Sequence, residues 1–291
     1  MYTQNISLII DTICTYCREF KHLHLSEDHD LTHSILEKLL HTFPDIEKLD
    51  IPILKQEDPL QYAQSISQLH KLIHLRFSDR YANVNQHVLK PIADGCPSLL
   101  HMNLGDSTFK DEDIRYFLQK KQNQLLSFEL WYPISPVTFK CISECPNLEE
   151  LNMNICNSSS DVSYNDMLLL RNLNKLKKLR LGYMSARQSK AVPSLFARQG
   201  LSSVMELNLI SLDINEKDLT EVILNCPQLT HFAICCLSVK LEDPLKKIGN
   251  CKNLKSLSLL VCLQVTRQCI DYVVEGCPLL MHLSLSCFLE R

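Results

Sequence analysis

The sequence predicts an α/β solenoid: about eleven short strands forming a parallel concave sheet, with helices returning the chain along the convex side. Three observations predict it. First, one phrase recurs, as GCPSLLHMNL (Gly95–Leu104), ECPNLEELNM (Glu144–Met153), NCPQLTHFAI (Asn225–Ile234), NCKNLKSLSL (Asn250–Leu259) and GCPLLMHLSL (Gly276–Leu285). Each carries a Cys, an apolar residue three positions on, and apolar residues three and five after that. Second, the middle apolar residue recurs along the whole chain, at Leu23, Leu49, Leu75, Met102, Phe128, Leu151, Leu179, Leu207, Phe232, Leu257 and Leu283. These eleven positions are spaced by 23 to 28 residues, with a mean of 26. Third, the segments between them carry helical periodicity.

A period in this range built on LxxLxL is the signature of a leucine-rich repeat. Its physics can be followed element by element. Alternation in LHMNL places Leu100, Met102 and Leu104 on one face of a strand and His101 and Asn103 on the other. The return segment HDLTHSILEKLLHTFP predicts a helix capped by Asp30, with Leu31, Ile35, Leu36, Leu39 and Leu40 on one face and Pro44 after its end. VTRQCIDYVVEGCP predicts another, with Ile270, Val273 and Val274 turned inward and Gly276 stopping it. Ile6 to Cys17 reads as the helix of an earlier repeat. One unit cannot bury its own apolar face, so it must stack on its neighbours. The expected organisation is a single repeat domain over residues 1–291, starting in the helix of a preceding repeat and ending just after the last strand.

The recurring Cys has a place in this scheme. Three residues before the first strand apolar, the eleven units carry Cys17, Phe43, Leu69, Cys96, Gln122, Cys145, Leu173, Leu201, Cys226, Cys251 and Cys277. All but Gln122 are apolar or Cys, which predicts a buried column at the helix-to-strand turn, where Cys serves as a small hydrophobe. The 14 cysteines are therefore expected to be free thiols. No secretory signal precedes them, and the expected location is intracellular, in cytoplasm or nucleus. Asn5-Ile-Ser and Asn157-Ser-Ser match the glycosylation pattern, but such short matches arise by chance.

Composition narrows the function. A formal charge of −3 supplies no basic footprint for nucleic acid or an anionic membrane. No apolar run has the length of a bilayer span. Six glycines and the absence of GxxxxGK[ST] and GxGxxG argue against a phosphate loop. CTYC, Cys14 to Cys17, has no second CxxC to complete a zinc site, and Cys17 belongs to the apolar column. His74 and His101 are expected as neighbours on adjacent strands, but two ligands without a third make a poor metal site. No catalytic residue, metal or cofactor is assigned, and the protein is not expected to be an enzyme.

The stretch CKNLKSLSLLVCLQVTRQCIDYVVEGCPLLMHLSL, Cys251 to Leu285, joins the first Cys, the LxxLxL, a second Cys at Cys262, a VT turn and a helix running into GCP. Cys156 has the same second-Cys phase. These units resemble the cysteine-containing repeats of F-box/leucine-rich-repeat proteins, although the units centred on Phe128 and Leu207 are degenerate. The resemblance implies a repeat array that recognises a protein substrate on its concave face for an SCF-type ubiquitin ligase. It implies binding to the cullin–RING ligase adaptor only if an F-box exists outside this chain, because the segment before Leu23 is too short to be one. The alternative is a stand-alone repeat regulator or adaptor unrelated to ubiquitin ligases.

If the helices lie outside, two polar columns line the concave sheet. One runs from His24 through Asp50, Arg76, Asn103 and Glu129 to Ser284, the other from His22 through Lys48, His74 and His101 to His282. Any solvated face must be polar, so particular residues have to stand out. Trp131 and Tyr132 directly follow the fifth strand, and Tyr183 has the phase of Tyr132. Trp and Tyr are favoured interface anchors, though Trp131 could equally pack on Pro133 and Pro136 in its own loop. Lys178 and Arg180, with Lys177 and Arg187 nearby, form either a basic pocket for an acidic or phosphorylated segment or a solvated charge run. Arg76, Glu129 and His101 complete the candidate partner-binding set.

Overall fold

A computed structural model describes residues 3–25, 32–52, 59–78, 83–84, 87–132, 135–155, 162–235, 239–262 and 264–286. They fall into two compact units, residues 1–132 and 133–291, and each is a parallel sheet backed by helices.

The first unit contains α1 (Thr3–Tyr16), β1 (His22–His24), α2 (His33–Thr42), β2 (Lys48–Ile51), α3 (Pro59–Ser67), β3 (His74–Phe77), β4 (Asn83–Val84), α4 (Leu89–Gly95), β5 (His101–Asn103), β6 (Thr108–Phe109), α5 (Asp111–Lys121) and β7 (Ser127–Leu130). Its main sheet runs β1-β2-β3-β5-β7, all parallel. The register places Leu23, Leu49, Leu75, Met102 and Phe128 side by side, the alignment predicted from the repeat. Leu49, Leu75, Met102 and Phe128 are buried, each adding about 1.5–3 kcal/mol through the apolar surface it removes from water. A second parallel pair, β4 with β6, was not foreseen. Phe109 of that pair is buried at 5.8 Å from Phe77, which in turn meets Tyr62 at 6.4 Å.

The second unit contains α6 (Pro136–Ser143), β8 (Glu150–Asn154), α7 (Tyr164–Leu168), β9 (Lys178–Gly182), α8 (Ala186–Ser189), α9 (Val192–Phe196), β10 (Glu206–Ile210), α10 (Glu216–Leu224), β11 (His231–Cys235), α11 (Glu242–Ile248), β12 (Ser256–Leu260) and α12 (Arg267–Gly276), ending at β13 (His282–Ser286). Its strands pair in chain order, all parallel, with Leu151, Leu179, Leu207, Phe232, Leu257 and Leu283 in register. Ser163 and Ser185 begin α7 and α8 with reciprocal caps closed by Asp166 and Gln188, which hold even these short helices in place.

Helix details depart from the sequence expectation in three places. The cap of α2 is Thr32, whose side chain accepts from the Ile35 amide; Asp30 and Leu31 lie outside the described residues. In α12 the inward residues are Cys269 and Val273, while Val274 is 60% exposed. The inward stripe through Cys269 and Val273 is narrow, and residue 274 lies about 100° further round the helix than Val273, toward solvent. Gly276 is the last residue of α12, and close packing is what requires it there: a Cβ would stand 2.2 Å from the Gly249 Cα at the end of α11.

The Cys column is buried as expected. Cys96, Cys145, Cys226, Cys251 and Cys277 are at most 2% exposed, as are Leu69, Leu173 and Leu201. Cys17 and Gln122 are the two half-buried members. Beside Gln122, the buried Lys121 turns its ammonium onto the Cys96 carbonyl at 2.6 Å, so a cation satisfies the end of α4. Eleven cysteines are free thiols among the described residues. Burial pushes Cys96 and Cys145 up to about 12 and Cys251 up to about 11, from the usual 9.0.

A pH dependence follows. Between the thiol range of the unfolded chain and those raised values, the native protein holds more protons, so stability falls as pH rises. Lys121, whose pKa burial lowers, acts in the opposite sense but is one group against five, since burial raises Cys226 and Cys277 as well. Urea midpoints measured at increasing alkaline pH should fall steadily above about pH 9. A Cys96→Ala/Cys145→Ala/Cys251→Ala variant should show a shallower fall.

Candidate functional site

Each functional side chain is placed by strand alternation: with the leucines inward, the intervening residues must face the other way. In the first unit this gives the row His24, Asp50, Arg76, Asn103, Glu129, in register across five strands, and beside it His22, Lys48, His74, His101, Ser127. Asp50 accepts from His24 Nδ1 at 2.9 Å and sits 3.9 Å from Arg76 Nη1. Arg76 is half exposed, so this long pair contributes little. His74 and His101 stack as expected for neighbours, their ring centroids 5.5 Å apart and planes 21° from parallel. Burial, followed by the neighbouring His101, lowers the His74 pKa and favours its neutral form.

Where these strands end, a cavity of about 270 Å³ opens, lined by Arg76, Ser78, Asn103, Asp106, Glu129 and Trp131 together with Phe77 and Gly105. Its walls are built locally. Gly105 turns with φ 58°, a left-handed conformation that glycine adopts without cost, and donates its N–H to Asn103 Oδ1 at 2.8 Å. The Trp131 amide donates to the Gly105 carbonyl at 3.0 Å, and its indole Nε1 donates to Glu129 Oε1 at 2.5 Å. Trp131 is thus fixed against the sheet face and walls the cavity; of its two expected proline neighbours, Pro133 lies outside the described residues.

The structure therefore gathers Arg76, Glu129 and Trp131 at one place. His101 lies on the same strand face two residues below Asn103. Tyr132, 36% exposed, follows Trp131 without lining the cavity. Asp106 and Ser78 were missed from sequence. The phrase LGD after the strand was the available signal for Asp106, since a glycine turn carries the next side chain back over the sheet edge.

The second unit holds Lys178, Arg180 and Tyr183. Lys178 lies between two carboxylates, 2.9 Å from Glu150 and 3.7 Å from Glu206, and Glu206 lies 4.0 Å from His231. The hydrogen bond to Glu150 raises the Lys178 pKa. A phosphate arriving here meets Glu150 and Glu206 as well as the ammonium. Lys177 pairs separately with Glu149 at 2.8 Å. Arg180 stands in register between Asn152 and Asn208, whose buried Oδ1 atoms accept no hydrogen bond. Tyr183 is 52% exposed and left-handed at φ 49°. Its N–H reaches the Ile210 carbonyl at 2.9 Å, and Ser211 and Val261 repeat this turn after their own strands.

Among the described residues, no three His, Cys, Asp or Glu side chains are grouped to hold a metal ion, and no described helix is long and apolar enough to cross a membrane.

No protein-family model matches the chain. Its sequence is similar to F-box/LRR-repeat protein 4 of Bos taurus, with 26% identity over 272 residues, or 88% of this chain and 37% of that protein. The chain thus spans well under half the length of this relative. Two solved structures share the fold at 17% identity. The TLR13–ssRNA13 complex matches with a TM-score of 0.53 over 93% of this chain and 36% of the other. The yeast Rad7–Elc1 complex matches with a TM-score of 0.51 over 97% and 76%. In fold the chain is a leucine-rich-repeat protein, and in sequence it is similar to an F-box/LRR-repeat protein along most of its length.

Proposed function

We propose that this chain is the substrate-recognition part of an SCF-type ubiquitin-ligase receptor, binding an intracellular protein through its concave strand faces. The observation that carries the proposal is the alignment of 88% of the chain with an F-box/LRR-repeat protein. The polar columns and the Trp131 cavity supply the means: an indole anchor beside charged groups that can select a partner. In this role the chain contributes binding, and ubiquitin transfer belongs to other subunits.

The test is affinity purification from native cells. The 291-residue chain should retain a protein partner but not the ligase adaptor. The full-length gene product should bring down adaptor and cullin, and the partner's turnover should slow when that product is depleted. Adaptor-free capture by the full-length product, with no change in turnover, would instead support the stand-alone adaptor. Trp131→Ala or Tyr132→Ala should weaken partner binding by about 2 kcal/mol if that side chain is an anchor. Charge reversal at Lys178 and Arg180 should weaken binding only to an acidic or phosphorylated partner, with an effect that fades as salt is raised.

A further inference from the structure

We infer that the cavity at the ends of β3, β5 and β7 receives an arginine side chain of the bound partner. The inference rests on the proposal that this face recognises a protein, and it names the chemistry of the residue recognised.

Charge complementarity is the first ground. Among the described residues, the Glu129 carboxylate receives the neutral indole N–H of Trp131, and no ion pair reaches Asp106. Neither carboxylate has a cationic partner among the described residues. Arg76, the cation in the lining, is drawn toward Asp50. Glu129 and Asp106 together outnumber Arg76 in the lining, so the cavity carries a net negative charge. A guest that is cationic at its tip gains both carboxylates, whereas an anionic guest must face them.

Shape is the second ground. The carboxylates do not lie on an open surface: they flank a concavity of about 270 Å³ with an indole in its wall. That volume falls just short of the range for drug-sized ligands and suits a single long side chain. Among cations, the guanidinium is the better fit. It is flat, less strongly hydrated than an ammonium, and stacks on aromatic rings. It also carries five N–H donors in a fixed plane, which can address separated acceptors at once. Glu129 and Asp106 supply two such acceptors in the lining. A lysine ammonium is a compact, more strongly hydrated charge with no planar face to lay on the indole.

The protein carries its own reporter. Trp131 is the one tryptophan in the chain, so indole fluorescence and the single indole N–H resonance read this cavity alone. Nα-acetyl-arginine amide, titrated into the full chain at low salt, should move both signals. Nα-acetyl-lysine amide should bind more weakly, and the glutamate and norleucine amides should leave the signals in place. Glu129→Gln keeps a carbonyl for the indole N–H while removing the charge, and Asp106→Asn does the same for the second carboxylate. The double variant should fold with an unchanged melting temperature and bind arginine amide about tenfold more weakly, the scale of a lost charged hydrogen bond. The inference is overturned if the signals stay still up to tens of millimolar arginine amide. It is equally overturned if lysine or glutamate amide binds as well, or if the double variant binds undiminished. Partner capture that depends on Trp131 but is indifferent to the double variant would remove this inference and leave the recognition proposal standing. Arginine-amide binding without any concave-face partner would do the reverse.

Discussion

A Cys145→Asp variant should lose about 3–5 kcal/mol of stability, the scale on which an uncompensated buried charge destabilises a fold. Cys145 is fully buried, and its thiol rests 3.4 Å from the Cys141 carbonyl, itself an acceptor that would repel a carboxylate. Among the described residues no cation lies against that thiol, and burial is what pushes it up to about 12. The same burial would raise the new carboxyl above its ordinary range. The folded variant would then hold a proton that the unfolded chain has lost, so its stability should rise as pH falls. Urea midpoints at neutral and mildly acidic pH check both statements. Cys145→Ala serves as the control and should lose far less, without that pH response. A variant as stable as the parent at neutral pH would show that the column is not sealed.

Phe128→Ala should cost about 3–5 kcal/mol, the range for truncating a buried aromatic. Phe128 is 1% exposed and occupies a place that leucine fills in most units, in register with Met102. Because neighbouring repeats hold each other by contact alone, the damage should be local before it is global. Hydrogen exchange followed by mass spectrometry should show the greatest loss of protection in β5 and β7. Uniform loss across every strand of the chain would mean that the repeats unfold as one cooperative body.

The strands were legible because two independent signals agree on them, the alternation and the 26-residue spacing. Even Phe128 and Leu207, in the degenerate units, pair where the alignment put them. Burial of Cys96, Cys145, Cys226, Cys251 and Cys277 was legible for the same reason, since a fixed phase in a stacked repeat means a fixed environment. Helix ends were less so. Thr32 and Asp30 are both good caps, and only tertiary fit chooses between them. The pair β4 with β6 escaped notice because two residues are too few for a period to show.

At the site, the columns already contained the fate of Lys178. Glu150, Lys178 and Glu206 are consecutive in their column, and adjacent strands make them neighbours. The Trp131–Glu129 bond could not be read in advance, because it depends on how the indole turns after the strand ends. Asp106 likewise depends on the left-handed turn at Gly105.

The sealed sulphur column also decides how the molecule meets electrophiles and oxidants. Both attack the thiolate, and a thiol that ionises only near 11 or 12 offers almost none at neutral pH. The buried column thiols should therefore be unreactive in the folded state, abundant as they are. Among the described residues the half-buried Cys14, Cys17 and Cys235 are the accessible ones. Maleimide dyes should label these while Cys96, Cys145, Cys226, Cys251 and Cys277 stay unmodified, leaving natural attachment points at the end of α1 and at the end of β11. Among the described thiols, peroxide stress would be felt at the same three places, and the buried ones would stay reduced until the chain unfolds.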